Sequence, residues 1–244
     1  MDTVGNRIGI GSRIDEVKRR IAAACRRAGR DPADVRLVAV TKTVPVERIQ
    51  QAVDAGLTLL GENRVQEAAS KTDRVMGDVT WHLVGHLQTN KVKKAVATFS
   101  MIQSVDSLEL AREIDRRVAD FGGAGAKRMD ALVEVNTSGE ATKFGVRPEE
   151  CVDLVAKIAE LMHVSVKGLM TIGAFTPDDE AVRACFKRLR DLRERIQDAR
   201  IENASMDYLS MGMTSDFEAA IEEGSNMVRI GTAIFGPRED SLAT

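Results

Sequence analysis

The stretch VAVTKTVP at residues 38–45 puts a lysine where an apolar strand runs out. Lys42 follows Val38, Ala39 and Val40 and stands between two threonines. A lysine amine attacks a carbonyl carbon to form a Schiff base, and a pocket of low polarity favours its neutral, nucleophilic form. A lysine at a strand end also reaches water through its own stem, so Lys42 alone decides nothing. Other apolar runs end in the same way. Glu62 and Asn63 end the second, His86 and Gln88 the third, and Ser104 and Asp106 the fourth. Asn136 and Thr137, Thr171 and Gly173, then Ser210, Gly212 and Thr214 follow, and the last run carries Arg229, Gly231 and Thr232. Glycines let a ligand approach the backbone, and hydroxyls with free amides near a helix start suit a phosphate. A lysine facing a phosphate cradle fits two ligand classes. One is a phosphorylated sugar, as in a Schiff-base aldolase; the other is pyridoxal 5′-phosphate (PLP), an aldehyde with its own phosphate.

These groups meet only if the runs that carry them are neighbouring strands. The spacing predicts an amphipathic helix over 10–29, with Ile14, Val17, Ile21 and Cys25 on one stripe and Gly29 as its stop. Strands are expected at 36–42, 58–63, 81–86, 101–105, 131–137, 166–173, 206–212 and 227–236. Helices are expected between them: from Pro45 to Gly56, over 64–76, over 90–98, and from an Asp106–Glu109 capping box to 120. Later helices start at Pro148, at Thr176–Pro177 (running to 199) and at a Ser215–Glu218 capping box ending at Gly224; Gly122 to Gly125 form a loop. Eight strand–helix units predict an α/β fold, a single (β/α)8 TIM barrel with an extra N-terminal helix, as one domain over 1–244. An open doubly wound sheet is the alternative, weakened because no G-x-G-x-x-G follows the first strand. In a barrel the C-terminal strand ends form one mouth, which is where chemistry collects.

Composition removes other classes. Lys+Arg is 35 and Asp+Glu is 37, interleaved to a net charge of −2, which does not suggest a polyanion such as nucleic acid as partner. No apolar run approaches a membrane span, and MDTVGNRIGIGSRIDEVKRR lacks the apolar core of a signal peptide, so a cytoplasmic protein is expected. Cys25, Cys151 and Cys185 are far apart in helical patterns and read as reduced thiols. His82 and His86 lie too far apart on a strand to share a metal, and no third ligand is evident. Lys91, Lys93 and Lys94 read as a solvated helix face.

Five segments carry a resemblance. VAVTKTVP, LGENRVQEA, WHLVGHLQTNK, LSMGMTSDFEAAIEEG and VRIGTAIFG, in this order along nearly the whole chain, resemble the pyridoxal phosphate homeostasis protein family. Its members are single-domain barrels similar to the N-terminal domain of alanine racemase. The resemblance implies that Lys42 holds PLP as a Schiff base and that Asn63 lies near the ring. It places Ser210, Gly212, Gly231 and Thr232 around the phosphate and Arg229 against the pyridine nitrogen. A guanidinium donates and does not accept, so that nitrogen would stay unprotonated and the ring a weak electron sink.

Some members carry a second lysine soon after the first; here Thr43, Val44 and Pro45 follow instead. Lys143 in ATKFGV matches a loop lysine of the family, a candidate for a second PLP or for relaying it. Alanine racemase relatives take a second base, a tyrosine, from an additional β domain of the partner subunit. No such domain fits within these 244 residues, and the only tyrosine, Tyr208, lies inside the seventh strand. The resemblance thus implies a monomeric carrier in PLP homeostasis, supplying PLP-dependent apoenzymes, without efficient turnover. The alternatives are a PLP-dependent amino-acid racemase, a Schiff-base aldolase, and a phosphate-binding scaffold with no Schiff base.

Overall fold

β1 (Arg36–Val40) pairs in parallel with β2 (Leu59–Glu62) on one side and with β8 (Met227–Ile230) on the other, so the sheet closes on itself. Between them, in order, run β3 (Thr80–Leu83), β4 (Met101–Val105), β5 (Met129–Glu134), β6 (Val164–Met170) and β7 (Ala204–Ser210). The structure, a computed structural model, describes residues 9–122 and 127–237. A parallel pair needs a crossover, and helices supply it. These are α2 (Val46–Asp54), α3 (Val65–Lys71), α4 (Val92–Thr98), α5 (Leu108–Gly122), α6 (Cys151–Ala159), α7 (Asp179–Asp198) and α8 (Phe217–Glu222). α1 (Ile10–Arg27) precedes the barrel, and α9 (Thr232–Phe235) follows β8. The ring is the expected (β/α)8 barrel with an extra N-terminal helix, and closure excludes the open doubly wound sheet.

Two apolar layers follow from the period of two along each strand. Val38, Met101, Leu132, Met170 and Met227, with Leu59 and Tyr208 against them, fill the barrel interior. Their chain neighbours Ala39, Leu60, Ile102, Ala131, Val133, Leu169 and Val228 face outward into a larger core shared with the helices. Phe186, Leu189, Leu192 and Ile196 of α7 supply one stripe of that outer core, and Ile14, Val17, Ile21 and Cys25 of α1 another. Each large side chain there contributes about 1.5–3 kcal/mol by leaving water.

Strands stop earlier than their apolar runs. β1 ends at Val40, which leaves Thr41 and Lys42 in the turn beyond it, with Thr43 left-handed at φ 61°. The run 227–236 splits, because Gly231 turns the chain and α9 begins at once. Helix α3 ends at Lys71, well short of residue 76.

Three expected caps also moved. Ser107, not Asp106, caps α5, its hydroxyl accepting from the Leu110 amide at 3.3 Å. Asp178 rather than Thr176 caps α7, its carboxylate accepting from the Glu180 and Ala181 amides, where an anion also meets the positive helix end. Ser215 does not cap α8; Asp216 stands before it and accepts instead from the Met213 amide at 2.6 Å. Residues 123–126 of the expected glycine loop lie outside the described residues, and α5 runs into its start.

Candidate functional site

The C-terminal ends of β1 and β8 meet at a cavity of about 190 Å³. Val40, Lys42, Arg48, Gly231, Thr232 and Phe235 line it. Val38 and Val40 belong to the barrel interior, and Lys42 continues that parity one step past the strand. Lys42 is half-buried; Thr232 is exposed. A Cβ on Gly231 would stand 3.3 Å from the Val40 carbonyl oxygen, so the glycine keeps the two strand ends close. Arg48 reaches across from α2 and donates to the Phe235 carbonyl, which ties α9 to the wall holding Lys42.

The turn that presents Lys42 is clamped from outside the barrel. Lys71 is 6 % exposed, and its ammonium donates to the Thr41 carbonyl at 2.8 Å, to Glu62 Oε1 at 2.6 Å and to Glu67 Oε1 at 2.7 Å. The Thr41 hydroxyl donates to Glu62 Oε1 at 2.7 Å, and Glu67 Oε1 accepts from the Thr43 amide at 2.6 Å. The residues before and after Lys42 are therefore both fixed by one ionic cluster. Burial pushes the Glu62 carboxyl up, although Lys71 and Thr41 oppose it. Burial works the same way on Glu67, but Lys71 and the Thr43 amide outweigh it and hold that carboxylate below its usual range.

Inside the barrel stands a second cluster. Arg229 on β8 is 4 % exposed and donates from Nη1 to Ser210 Oγ at 2.7 Å and from Nη2 to the Thr171 carbonyl at 2.8 Å. Ser210 donates to Gln103 Oε1 at 2.6 Å, and Gln103 Nε2 meets His82 Nδ1 at 2.9 Å. Burial lowers the Arg229 pKa to about 10, with Glu134 and Asp216 opposing, which leaves the guanidinium charged at neutral pH. Burial and then the Asp106 charge raise Glu134 to about 7, against the pull of Arg229. His82 falls to about 4 through burial and the Arg36 charge, so its ring is neutral.

At the rim, His86 stacks on Phe144 at 3.8 Å between ring centres and lies 3.6 Å from Asp106. Asp106 stands at this rim, one residue before the Ser107 cap of α5. Lys143 donates to the Gly173 carbonyl at 2.9 Å and pairs with Glu140, which pins the β5 and β6 loops together. Among the described residues no three His, Cys, Asp or Glu gather as for a metal ion, and no helix is long and apolar enough to cross a membrane.

The structure brings the residues singled out in sequence to one end of the barrel in two groups. Lys42, Gly231 and Thr232 share the cavity. Ser210 and Arg229, near the ends of β7 and β8 and outside that lining, bond to each other, and Gly212 accepts from the Arg229 amide at 3.0 Å. Gly212 has φ +96°, and a Cβ there would meet the Ala220 Cβ at 2.6 Å, so it also seats α8. Asn63 is half-buried at the end of β2, and Gly85 passes so near that its Cβ would stand 2.5 Å from the Asn63 carbonyl oxygen. Tyr208 packs under the Arg36 guanidinium, beside the first residue of β1, whereas Lys42 follows that strand's last.

A family model described as alanine racemase, N-terminal domain, matches residues 13–239. The pyridoxal phosphate homeostasis protein of Aquifex aeolicus is 44% identical over 228 residues, 93% of this chain and 97% of that one. The chain belongs to the pyridoxal phosphate homeostasis protein family. PipY of Synechococcus elongatus, a solved structure described as having PLP bound, is 32% identical with a TM-score of 0.80, covering 93% of this chain and 100% of that one. Alanine racemase of Clostridium difficile matches at 16% identity and a TM-score of 0.72, over 91% of this chain and 57% of that one, a likeness of fold alone.

Within this homeostasis-family barrel, Lys71, Gln103 and Glu134 escaped sequence reasoning, His82 was weighed only as a metal ligand, and each left a trace. Lys71 continues the buried stripe of Val65 and Ala68 at a spacing of three, a cation where an apolar residue belongs. Gln103, Glu134 and His82 occupy inward-facing strand positions, in step with Met101, Leu132 and Val84. A buried polar side chain on an inward face needs a partner, and that need was the signal.

Proposed function

We propose that this protein holds PLP reversibly, as a Schiff base on Lys42, and serves as a carrier in PLP homeostasis without efficient turnover. The observation that carries the proposal is the pairing at one barrel end of Lys42, beside the Gly231–Thr232 corner, with a buried, charged Arg229. Among the described residues, two of that guanidinium's five N–H bonds have protein partners. The charge makes no ion pair within 4.0 Å among the described residues. Burying such a cation is costly unless acceptors meet it, so the remaining donors suit a ligand that brings its own acceptor. The pyridine nitrogen of PLP is one, and the donor set fits the group.

When bound, PLP supplies an aldehyde that condenses with an amine and a ring that withdraws electrons. Lys42 supplies the amine. Gly231 and Thr232, with Gly212 behind them, make the corner for the phosphate, and Asn63 borders the ring. Arg229 donates to the ring nitrogen without protonating it, which keeps the electron withdrawal weak. The placement of Tyr208 against Arg36 supports a carrier over a two-base racemase, since it leaves no phenol near Lys42. The protein acts as a monomer, and PLP-dependent apoenzymes are the natural recipients.

The test is an absorbance spectrum of the purified protein incubated with PLP, then borohydride reduction and peptide mapping. A visible band that disappears on reduction, with the pyridoxyl group on Lys42, supports the reading; K42A abolishes both. A protein that stays colourless and unlabelled refutes it, and trapping of a sugar phosphate instead favours the aldolase. Turnover of an amino acid at ordinary enzyme rates would refute the carrier role alone.

A further inference from the structure

The hydrogen bonds behind Arg229 run in one direction only. The guanidinium has no acceptor, so Ser210 Oγ accepts from it at 2.7 Å. The one hydroxyl proton of Ser210 then goes to Gln103 at 2.6 Å, which makes the contacting atom the amide oxygen. The Gln103 amino group faces the other way, 3.2 Å from Met227 Sδ and 2.9 Å from His82 Nδ1. A thioether sulfur only accepts, which rejects the flipped amide. His82 must therefore accept at Nδ1 and carry its proton on Nε2. One cation on β8 thus sets the polarity of groups on β7, β4 and β3, all 5 % exposed or less.

We propose that Ser210 and Gln103 are positioning residues for Arg229: with His82 they form a directed chain that holds the guanidinium in one orientation toward the ring acceptor of bound PLP. The inference rests on the PLP reading above. It also reassigns Ser210, whose hydroxyl has spent its only proton on Gln103 and has none to donate to a phosphate. Ser210 acts through Arg229. A neutral His82 is what the chain requires, and burial beside the Arg36 charge keeps it so.

Two readouts test this on the full chain. The sequence has three histidines, so His82 is assigned in [15N]histidine-labelled protein by the signal lost in H82Q. The wild type without PLP shows a bare Nδ1 and a protonated Nε2, and Q103L releases this lock so that both tautomers appear. In the PLP-loaded protein, S210A and Q103L each shift the visible band and release PLP about tenfold faster, the scale of one hydrogen bond involving a charged group. The double variant does no more than either single one, because both break the same chain. S210T, which keeps the hydroxyl, restores the band. A proton on His82 Nδ1, or a loaded protein indifferent to both single variants, overturns the inference. A wild type that takes up no PLP yet shows the His82 lock removes the PLP reading, and with it the role toward the ring.

Discussion

The two polar clusters at the mouth lie on opposite faces of the same sheet and balance their charges differently. Outside, between β1, β2 and α3, one ammonium meets two carboxylates, and all contacts are 2.6 to 2.8 Å long. Inside, one guanidinium meets a hydroxyl and a carbonyl, and its nearest acids act only through space. The outer cluster is complete and fixes a backbone turn. The inner one holds a charge in place and, among the described residues, has partners for two of its five donors. On the proposal above, the closed cluster is structural and the open one meets a ligand.

That contrast breaks first at Lys71. K71M leaves Glu62 buried without its cation, and a loss of about 3–5 kcal/mol is expected in urea unfolding. The double variant E62Q/K71M recovers most of it, because the loss is the stranded charge and not the missing bond. A K71M protein as stable as wild type would show that the outer cluster is not structural.

Glu134 sharpens the inner side. Its carboxyl ionises near 4.5 in the unfolded chain and near 7 in the folded one, so the unfolded state loses the proton first. Stability then falls as pH rises from 4.5 to about 7, by at most about 3 kcal/mol. E134Q removes that fall and gains on the wild type above pH 7. His82 works oppositely: its folded value near 4 lies below 6.5, so stability falls as pH drops from 6.5 to 4. E134Q removes the one contribution and keeps that of His82, so the slope of stability against pH between 4.5 and 6.5 becomes more positive than in the wild type. A slope unchanged from wild type would place the Glu134 proton elsewhere.

Smaller effects divide the clusters by kind. E67Q weakens the hold on the Thr43 amide and costs about 1–2 kcal/mol, with slower labelling of Lys42 by PLP and borohydride. S210A strands a donor of Arg229 and costs about 1–2 kcal/mol of stability, while the spectrum of the loaded protein also moves. If S210A shifted only the unfolding midpoint, the inner chain would be structural like the outer.

The barrel was legible because alternation of short apolar strands with amphipathic helices is a local property of the chain. So was the set of residues at the mouth, since each strand's last positions name it. Cap choices were less legible. Asp106 and Ser107 are both good caps, and because α5 begins at Leu108 it is Ser107 that stands directly before it and accepts from the Leu110 amide. Lys71 drew no reading in sequence because its partners stand nine residues away at Glu62 and thirty away at Thr41.

The sequence by itself determined the order of elements, the inward and outward faces of each strand, and the placing of Lys42, Arg229 and Gly231 at strand ends. Period and turn chemistry suffice for that, because both act between near neighbours. Only the tertiary structure decided that Ser210 bonds to Gln103, 107 residues away, and that Lys71 holds both flanks of Lys42. Periodicity tells which face a side chain takes. Strand register and barrel closure choose what it meets there, and hydrogen bonds are made at that scale.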